Sequence, residues 1–146
     1  MIQIYFGYGK GKTTSALGQG MRAKGAGKNV LLVQFLKNNK SSELAVLPFD
    51  IFKSPENLPF NPGKEYQAWV DSALSYIKNS TCDIIILDEP INALDEVSVE
   101  KVHDILEEQK KRGAVIIIAC HDKEELDQLS DEIIEISDGR IINKTC

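Results

Sequence analysis

Cysteine is scarce in this sequence, and long apolar runs are missing. The three cysteines, Cys82, Cys120 and Cys146, are odd in number, widely spaced and without a metal-ligand rhythm, which argues against a disulfide framework and a zinc site. No apolar run approaches the ~18 residues that a membrane-spanning helix needs, and no basic segment followed by a removable apolar stretch opens the sequence. We therefore expect a cytoplasmic protein that does not enter a membrane.

Positive charge is also in deficit. Seventeen lysines and arginines stand against 22 acidic residues, which gives a net charge of −5 over 146 residues. This balance favours solubility and argues against a broad surface for nucleic acid or membranes. The length suits one domain with a hydrophobic core, and no repeat or linker divides it. We expect a single domain over residues 1–146 that does not bind nucleic acid.

Glycine is concentrated near the start of the chain, in a pattern typical of a phosphate-binding loop. Residues 7–14 read Gly-Tyr-Gly-Lys-Gly-Lys-Thr-Thr, between an apolar run and a segment with helical periodicity. Glycines let the backbone close around an anion with its N–H groups inward, and the next helix presents its positive N-terminal end. In the general pattern G-x-x-x-x-G-K-[ST], Lys12 reaches the outer phosphates and the Thr13 hydroxyl binds Mg²⁺. The first glycine of that pattern is Phe6 here, so Gly7 and Gly9 must make the first turn.

Every residue of this loop is a candidate ligand of ATP. Tyr8 lies at the loop tip, where its ring could touch the ribose or the base, whereas Tyr5 is expected to pack in the first strand. The candidate nucleotide-binding residues are Gly7, Tyr8, Gly9, Lys10, Gly11, Lys12, Thr13 and Thr14.

A second candidate site follows a buried strand. The apolar residues 84–87 end at Asp88 and Glu89, and an uninterrupted apolar strand is typical of a parallel sheet, whose carboxyl ends are where ligands bind. Thr13, Asp88 and Glu89 are therefore candidate magnesium ligands, and Glu89 could instead order a water molecule. The alternative is that these acidic residues mark only the return of the chain to solvent.

Strand and helix patterns alternate along most of the chain, which predicts a mainly parallel sheet covered by helices on both faces. Together with the phosphate-binding loop, this alternation predicts the three-layer α/β fold of P-loop NTPases of the RecA-like type. We expect a turn at residues 137–140 that leads into a final short strand. The predicted strands are at about 2–6, 29–35, 83–88, 114–119 and 132–137, and the predicted helices run from the loop to 24, then 64–77, 97–111 and 123–129.

The stretch 38–63 breaks this alternation. It carries Pro48, Pro55, Pro59 and Pro62, and a long connection without periodicity is commonly a lid or a substrate loop. Its apolar side chains either cover a planar ligand or pack against the sheet. These side chains are Phe49, Phe52, Leu58 and Phe60.

Residues 6–37 resemble the P-loop type of ATP:corrinoid adenosyltransferase. The likeness lies in Phe6–Thr14, Ala16–Gly18, Gly27–Val30 and a strand that ends Val-Gln-Phe-Leu-Lys at Lys37. It continues more weakly to about residue 137, through Trp69 and Leu87-Asp88-Glu89.

The resemblance implies a reaction and a set of roles. Enzymes of that family bind MgATP so that the ribose 5′ carbon is open to attack by the Co(I) of a reduced corrinoid, and triphosphate leaves. Lys12 and the loop backbone would stabilise charge on the triphosphate, and Thr13 and Glu89, with Asp88, would hold the metal. The stretch 38–63 would cover the corrinoid, and a homodimer is implied.

The second half of the chain also resembles the ATPase cassettes of ABC transporters. The likeness lies in Leu87–Asp95, Ile116–Asp122 and Ile136–Arg140. In such cassettes the glutamate orients water and the histidine senses the γ-phosphate, roles that would fall on Glu89 and His121.

Three functions therefore stay open: an adenosyltransferase, an ATPase, and a nucleotide-binding module that needs a partner. Lys12, Glu89 and His121 are the candidate catalytic residues. His121 could instead be a solvated cap on the next helix, and His103, in a charged helix, is expected on the surface.

Overall fold

The computed structural model describes residues 1–35, 41–55, 63–92 and 94–146. Short 3₁₀ turns occupy Ser42–Ala45 and Asp127–Leu129. The strands are β1 (Ile2–Phe6), β2 (Val30–Gln34), β3 (Asp50–Phe52), β4 (Ile84–Asp88), β5 (Val115–Cys120), β6 (Glu132–Ser137) and β7 (Arg140–Thr145), and the helices are α1 (Lys12–Gly25), α2 (Lys64–Lys78) and α3 (Glu96–Arg112).

The seven strands form one sheet in the order β3-β2-β4-β5-β1-β6-β7. Neighbouring strands are parallel from β3 to β6, and β7 pairs antiparallel with β6. Residues of β1, β2, β4 and β5 are almost all buried, as expected for central strands covered on both faces. The prediction of an α/β fold with a mainly parallel sheet is confirmed.

Helices cover both faces of the sheet, so the domain has three layers. On one face, alternate strand residues such as Leu31, Ile85 and Ile116 pack with buried residues of α2 and α3. On the other face, the intervening residues, such as Leu32 and Ile86, pack with α1. This alternation is the period of two that a strand imposes on its side chains.

The sheet brings the functional strand ends together. Phe6 at the end of β1 pairs in register with Cys120 at the end of β5, and Asp88 at the end of β4 pairs with Ala119. The loop after β1 therefore lies at the same sheet edge as the residues that follow β4 and β5. Ligands of parallel α/β sheets bind at this edge.

Two predicted features differ in the structure. The prediction of a helix at 123–129 is wrong, because the chain forms a turn at residues 124–126 followed by the 3₁₀ turn Asp127–Leu129. Asp122 Oδ1 instead accepts a hydrogen bond from the backbone N–H of Glu124 at 3.0 Å, and such local bonds compete with a helix that is too short to repay nucleation. The stretch 38–63 also contains a regular strand, β3, which the sequence pattern missed because three residues show no periodicity.

The aromatic side chains of that stretch pack against the protein where the structure describes them. Phe49 is 8% exposed and joins the α1 side of the core. The ring of Phe52 lies 5.8 Å from that of Trp69 and 5.0 Å from that of Tyr76. Of the two alternatives, packing against the sheet is therefore observed for Phe49 and Phe52. Leu58 and Phe60 lie outside the described residues.

Two further findings concern the surface. His103 is half-buried instead of exposed, and its Nε2 has no hydrogen-bond partner within the described residues. The surface prediction for His103 is therefore confirmed only in part, because α3 turns this position partly towards the core. None of the helices in the described residues is long and apolar enough to cross a membrane.

Candidate nucleotide-binding site

The glycine-rich loop connects the end of β1 directly to the start of α1. Gly7, Gly9 and Gly11 have φ values of 126°, 78° and 118°, in a region that is costly for residues with a Cβ. The N–H of Ser15 donates to the carbonyl of Gly11 at 2.9 Å, which begins the helical hydrogen bonding. The loop thus ends in the N-terminal turn of a helix, an arrangement that attracts anions.

Lys12 lies within this loop. It is the first residue of α1 and is 5% exposed, and its Nζ donates to the carbonyl of Gly9 at 3.0 Å. The ammonium group therefore lies beside the loop backbone, where the pattern places the phosphates. Tyr8, at 78% exposure, projects into solvent, whereas Tyr5 is buried as expected and its hydroxyl accepts a hydrogen bond from Gln19 Nε2 at 3.3 Å. Lys10 and Thr14 are exposed.

Thr13 and Asp88 meet across the sheet edge. The Thr13 hydroxyl lies 3.2 and 3.3 Å from the two carboxylate oxygens of Asp88, and Asp88 is only 1% exposed. Gln34 Nε2 donates to Asp88 Oδ2 at 3.2 Å, because Gln34 and Asp88 are register partners in β2 and β4. Hydroxyl and carboxylate oxygens are hard donors of the kind that Mg²⁺ prefers, so these residues fit that metal.

Gln34 is a site residue that the motif search did not select. The available signal was an amide side chain at the end of the apolar strand Val30–Gln34, four residues into a run that is otherwise Val and Leu. A buried amide at such a position needs a polar partner, and the neighbouring strand supplies Asp88.

Glu89 and His121 form a second pair at the same edge. Glu89 has φ 55°, and its N–H donates to the carbonyl of Ala119 at 2.8 Å. One of its carboxylate oxygens accepts a hydrogen bond from the backbone N–H of His121 at 3.4 Å, and the other contacts His121 Nδ1. A non-glycine residue at positive φ is uncommon and is often found at functional sites.

A cleft of about 260 Å³ opens beside this pair. Cys120 lines it together with Glu89, His121 and Asp122. Burial, followed by the negative charge of Glu89, raises the pKa of the Cys120 thiol to about 12. Since the thiolate is the reactive form, Cys120 is a poor nucleophile and a poor metal ligand at neutral pH.

A larger groove, of about 750 Å³, lies at the opposite end of the sheet. Asp50 at the start of β3, Tyr76 in α2 and Cys82 before β4 line it. Because ligands of parallel sheets bind at the carboxyl ends of the strands, we assign the candidate site to the phosphate loop and not to this groove.

The sequence matches the model of a known protein family. That family is "ATP:corrinoid adenosyltransferase BtuR/CobO/CobP", and the match covers residues 1–141. The chain belongs to this family. The corrinoid adenosyltransferase of Escherichia coli (strain K12) is 29% identical over 151 residues, which cover 93% of this chain and 76% of that protein. The resemblance seen in the sequence is therefore confirmed at the level of the family.

ABC-type ATP-binding proteins are similar to shorter parts of the chain. The uncharacterized ABC transporter ATP-binding protein YybJ of Bacillus subtilis is 54% identical over 59 residues, which are 40% of this chain. The match spans only 27% of the length of YybJ, 30% of the ABC transporter ATP-binding protein MJ1023 of Methanocaldococcus jannaschii and 20% of the fluoroquinolones export ATP-binding protein MT2762 of Mycobacterium tuberculosis. A solved structure of cbiO1 from Clostridium perfringens, part of the ABC transporter complex cbiONQ, aligns with 98% of this chain and 76% of that chain, at a TM-score of 0.54 and 19% identity. That likeness shows the P-loop fold alone.

Proposed function

We propose that the chain binds MgATP on its phosphate loop and transfers the adenosyl group to the Co(I) of a corrinoid. The observation that carries this proposal is the meeting of Lys12, Thr13 and Asp88 at one sheet edge, in a chain of the adenosyltransferase family. The buried ammonium group of Lys12 and the N-terminus of α1 suit a triphosphate, and the oxygen atoms of Thr13 and Asp88 suit its Mg²⁺.

The loop residues would act on the leaving group. In the transfer, the electron pair of Co(I) forms a bond to the ribose 5′ carbon, and the bond from that carbon to the triphosphate oxygen breaks, with its electron pair leaving on the triphosphate. Lys12 and the N–H groups of residues 7–14 stabilise the negative charge that develops there. Preorganised donors of this kind usually supply the largest single term in catalysis. Tyr8, which is exposed at the loop tip, would contact the ribose or the base.

Thr13 and Asp88 are the residues that would hold Mg²⁺. When bound, the metal would neutralise charge on the triphosphate. Gln34 fixes one oxygen of Asp88 by its hydrogen bond, and second contacts of this kind orient metal ligands. Glu89 is less suited to bind the metal, because its carboxylate is already in contact with His121.

An anaerobic assay tests the transfer directly. The protein is mixed with MgATP and chemically reduced cob(I)alamin, and the spectral change on formation of the cobalt–carbon bond is followed while the phosphate product is identified. We expect adenosylcobalamin and triphosphate in equal amounts. Consumption of ATP without a corrinoid change would contradict the proposal. Sedimentation of the same sample measures whether the active species is the homodimer that the family resemblance implies.

The contact between Glu89 and His121 favours a second candidate, ATP hydrolysis. A carboxylate just beyond the strand end is suited to orient a water molecule, and an imidazole beside it is suited to sense the γ-phosphate. This candidate predicts orthophosphate from MgATP without any corrinoid, and the loss of that activity in Glu89→Gln while MgATP still binds. Tight binding with neither product would indicate a nucleotide-binding module that needs a partner.

A further inference from the structure

The phosphate loop is hydrogen-bonded to the turn between β6 and β7. The N–H of Asp138 donates to the carbonyl of Tyr8 at 3.2 Å, and the N–H of Gly139 donates to the carbonyl of Lys10 at 2.9 Å. Two alternate carbonyls of the loop are thus held by two consecutive N–H groups of a separate element, far away in the sequence.

The conformation of the turn leaves these N–H groups available. Ser137 and Arg140 are register partners in the antiparallel pair of β6 and β7, so Asp138 and Gly139 form a two-residue hairpin loop. Both have positive φ, 48° and 78°, which is the backbone of a type I′ turn. In such a turn the two central residues lie outside the strand ladder, so their N–H groups can serve another partner.

The glycines of the loop allow the hairpin to come this close. A Cβ on Gly7 would lie 2.1 Å from the carbonyl oxygen of Ile136, and one on Gly9 would lie 2.4 Å from Asp138 Oδ1. A Cβ on Gly11 would lie 3.3 Å from the Cα of Gly139. Each glycine of the loop therefore faces the segment Ile136–Gly139, and the shape of the loop depends on that segment as well as on its own sequence.

Peptide geometry links these contacts to anion binding. In a trans peptide the carbonyl of one residue points opposite to the N–H of the next. Since the carbonyls of Tyr8 and Lys10 point to the hairpin, the N–H groups of Gly9 and Gly11 point the other way. We propose that the β6–β7 turn is a positioning element that aims these two loop N–H groups at a bound phosphate, with Asp138 and Gly139 as positioning residues. This inference rests on the proposed binding of ATP at the loop.

Substitutions at Gly139 test the turn without adding a clash. A Cβ on Gly139 meets nothing within 4 Å, so a side chain there acts only through the backbone at φ 78°. Valine resists this conformation, whereas asparagine tolerates it. Gly113→Val is a matched control, because Gly113 has φ 98° with similar open space at the end of α3, remote from the loop.

The readout is the Kd of MgATP and of inorganic triphosphate, measured by calorimetry on each folded variant. We expect Gly139→Val to weaken both ligands about tenfold, because a loop that is not preorganised must be ordered on binding. Gly139→Asn and Gly113→Val should stay within about twofold of the wild type, although Gly113→Val lowers the melting temperature. A purely structural role for Gly139 would lower the melting temperature and leave both Kd values unchanged, which would overturn the inference.

Hydrogen exchange gives a test that needs no variant. In the wild-type chain, binding of inorganic triphosphate should slow exchange of the Asp138 and Gly139 amides, because coupling between two sites is reciprocal. Unchanged exchange at these amides in the ligand-bound protein would overturn the inference. The proposed function fails separately: triphosphate binding with normal coupling to the turn, but no adenosyl transfer, would refute the transferase and leave the positioning role intact.

Discussion

The carboxylate of Glu89 is held by His121, through the backbone N–H at 3.4 Å and through the imidazole Nδ1. The preceding residue, Asp88, instead meets Thr13 and Gln34. These adjacent acidic residues therefore have different partners, because β4 ends at Asp88 and the positive φ of Glu89, 55°, takes its backbone out of the strand conformation. We infer that Asp88 is a ligand of Mg²⁺ and that Glu89 takes part in the reaction beside the cleft.

Isosteric substitutions separate these two roles. Asp88→Asn should raise the Mg²⁺ concentration needed for half-maximal ATP binding by about tenfold, because a neutral amide replaces a carboxylate ligand. Glu89→Gln should change it by less than about threefold. Titration of Mg²⁺ at fixed ATP measures both. An equal effect of the two substitutions would mean that Glu89 is also a metal ligand, as the sequence pattern allowed.

Lys12→Ala should weaken MgATP binding by about 10- to 100-fold, which corresponds to the 1.5–3 kcal/mol of a hydrogen bond to a charged group. The control is Lys24→Ala, which removes an exposed positive charge near the other end of α1 and should bind MgATP like the wild type. Calorimetry gives both affinities. Equal affinity in Lys12→Ala and the wild type would remove the loop from consideration as the ATP site.

Two glycines in α1 should respond oppositely to alanine. Gly18 meets nothing within 4 Å, whereas a Cβ on Gly20 would lie 2.6 Å from Ile86 Cδ1 and 2.8 Å from Phe49 Cζ. Gly18→Ala should raise the free energy of unfolding by about 0.5–1 kcal/mol through helix propensity. Gly20→Ala should lower it by about 1 kcal/mol, since overpacking outweighs that gain. Urea unfolding measures both. A Gly20→Ala variant more stable than the wild type would show that the side chains beneath α1 can move to accept the extra methyl group.

Asp131 should make stability depend on pH. Its carboxylate accepts hydrogen bonds from Lys110 and from the N–H of Ile2, both at 2.7 Å. These contacts lower the pKa of Asp131, and the hydrogen bond from Lys110 has the larger effect. A carboxyl whose pKa is lower in the folded chain stabilises the fold at pH values above its pKa in the unfolded chain, which is about 3.9. This stabilisation is lost as the pH falls through the pKa in the folded chain.

Asp131→Asn should therefore lower the free energy of unfolding at pH 7 by about 1 kcal/mol, a modest figure because the pair is partly exposed. The difference from the wild type should shrink as the pH falls through the folded pKa of Asp131. Asp104→Asn, on the exposed side of α3, is the control. Urea unfolding at several pH values measures the effect, and a constant difference across that range would argue against an ionic origin.

Local patterns in the sequence predicted much of this molecule. The apolar strands, the glycine-lysine-threonine loop and Asp88-Glu89 are continuous segments, and their periodicity and spacing are set by the backbone geometry of strand, loop and helix. The bounds of α1, α2 and α3 agree with the predicted helices to within one residue at each end. Where segments are short, local pattern fails, as at β3 and at residues 123–129, since a few residues carry too little periodicity.

The fold class, the phosphate loop and the acidic strand end could be predicted from the chain, because each depends on residues that are neighbours in sequence. The contacts between side chains became visible only in the folded structure: Gln34 with Asp88, Glu89 with His121, and the loop carbonyls with Asp138 and Gly139. These partners are separated by many residues and come together through strand order and register. Hydrogen-bond partners across a sheet follow from that order, which no local pattern encodes.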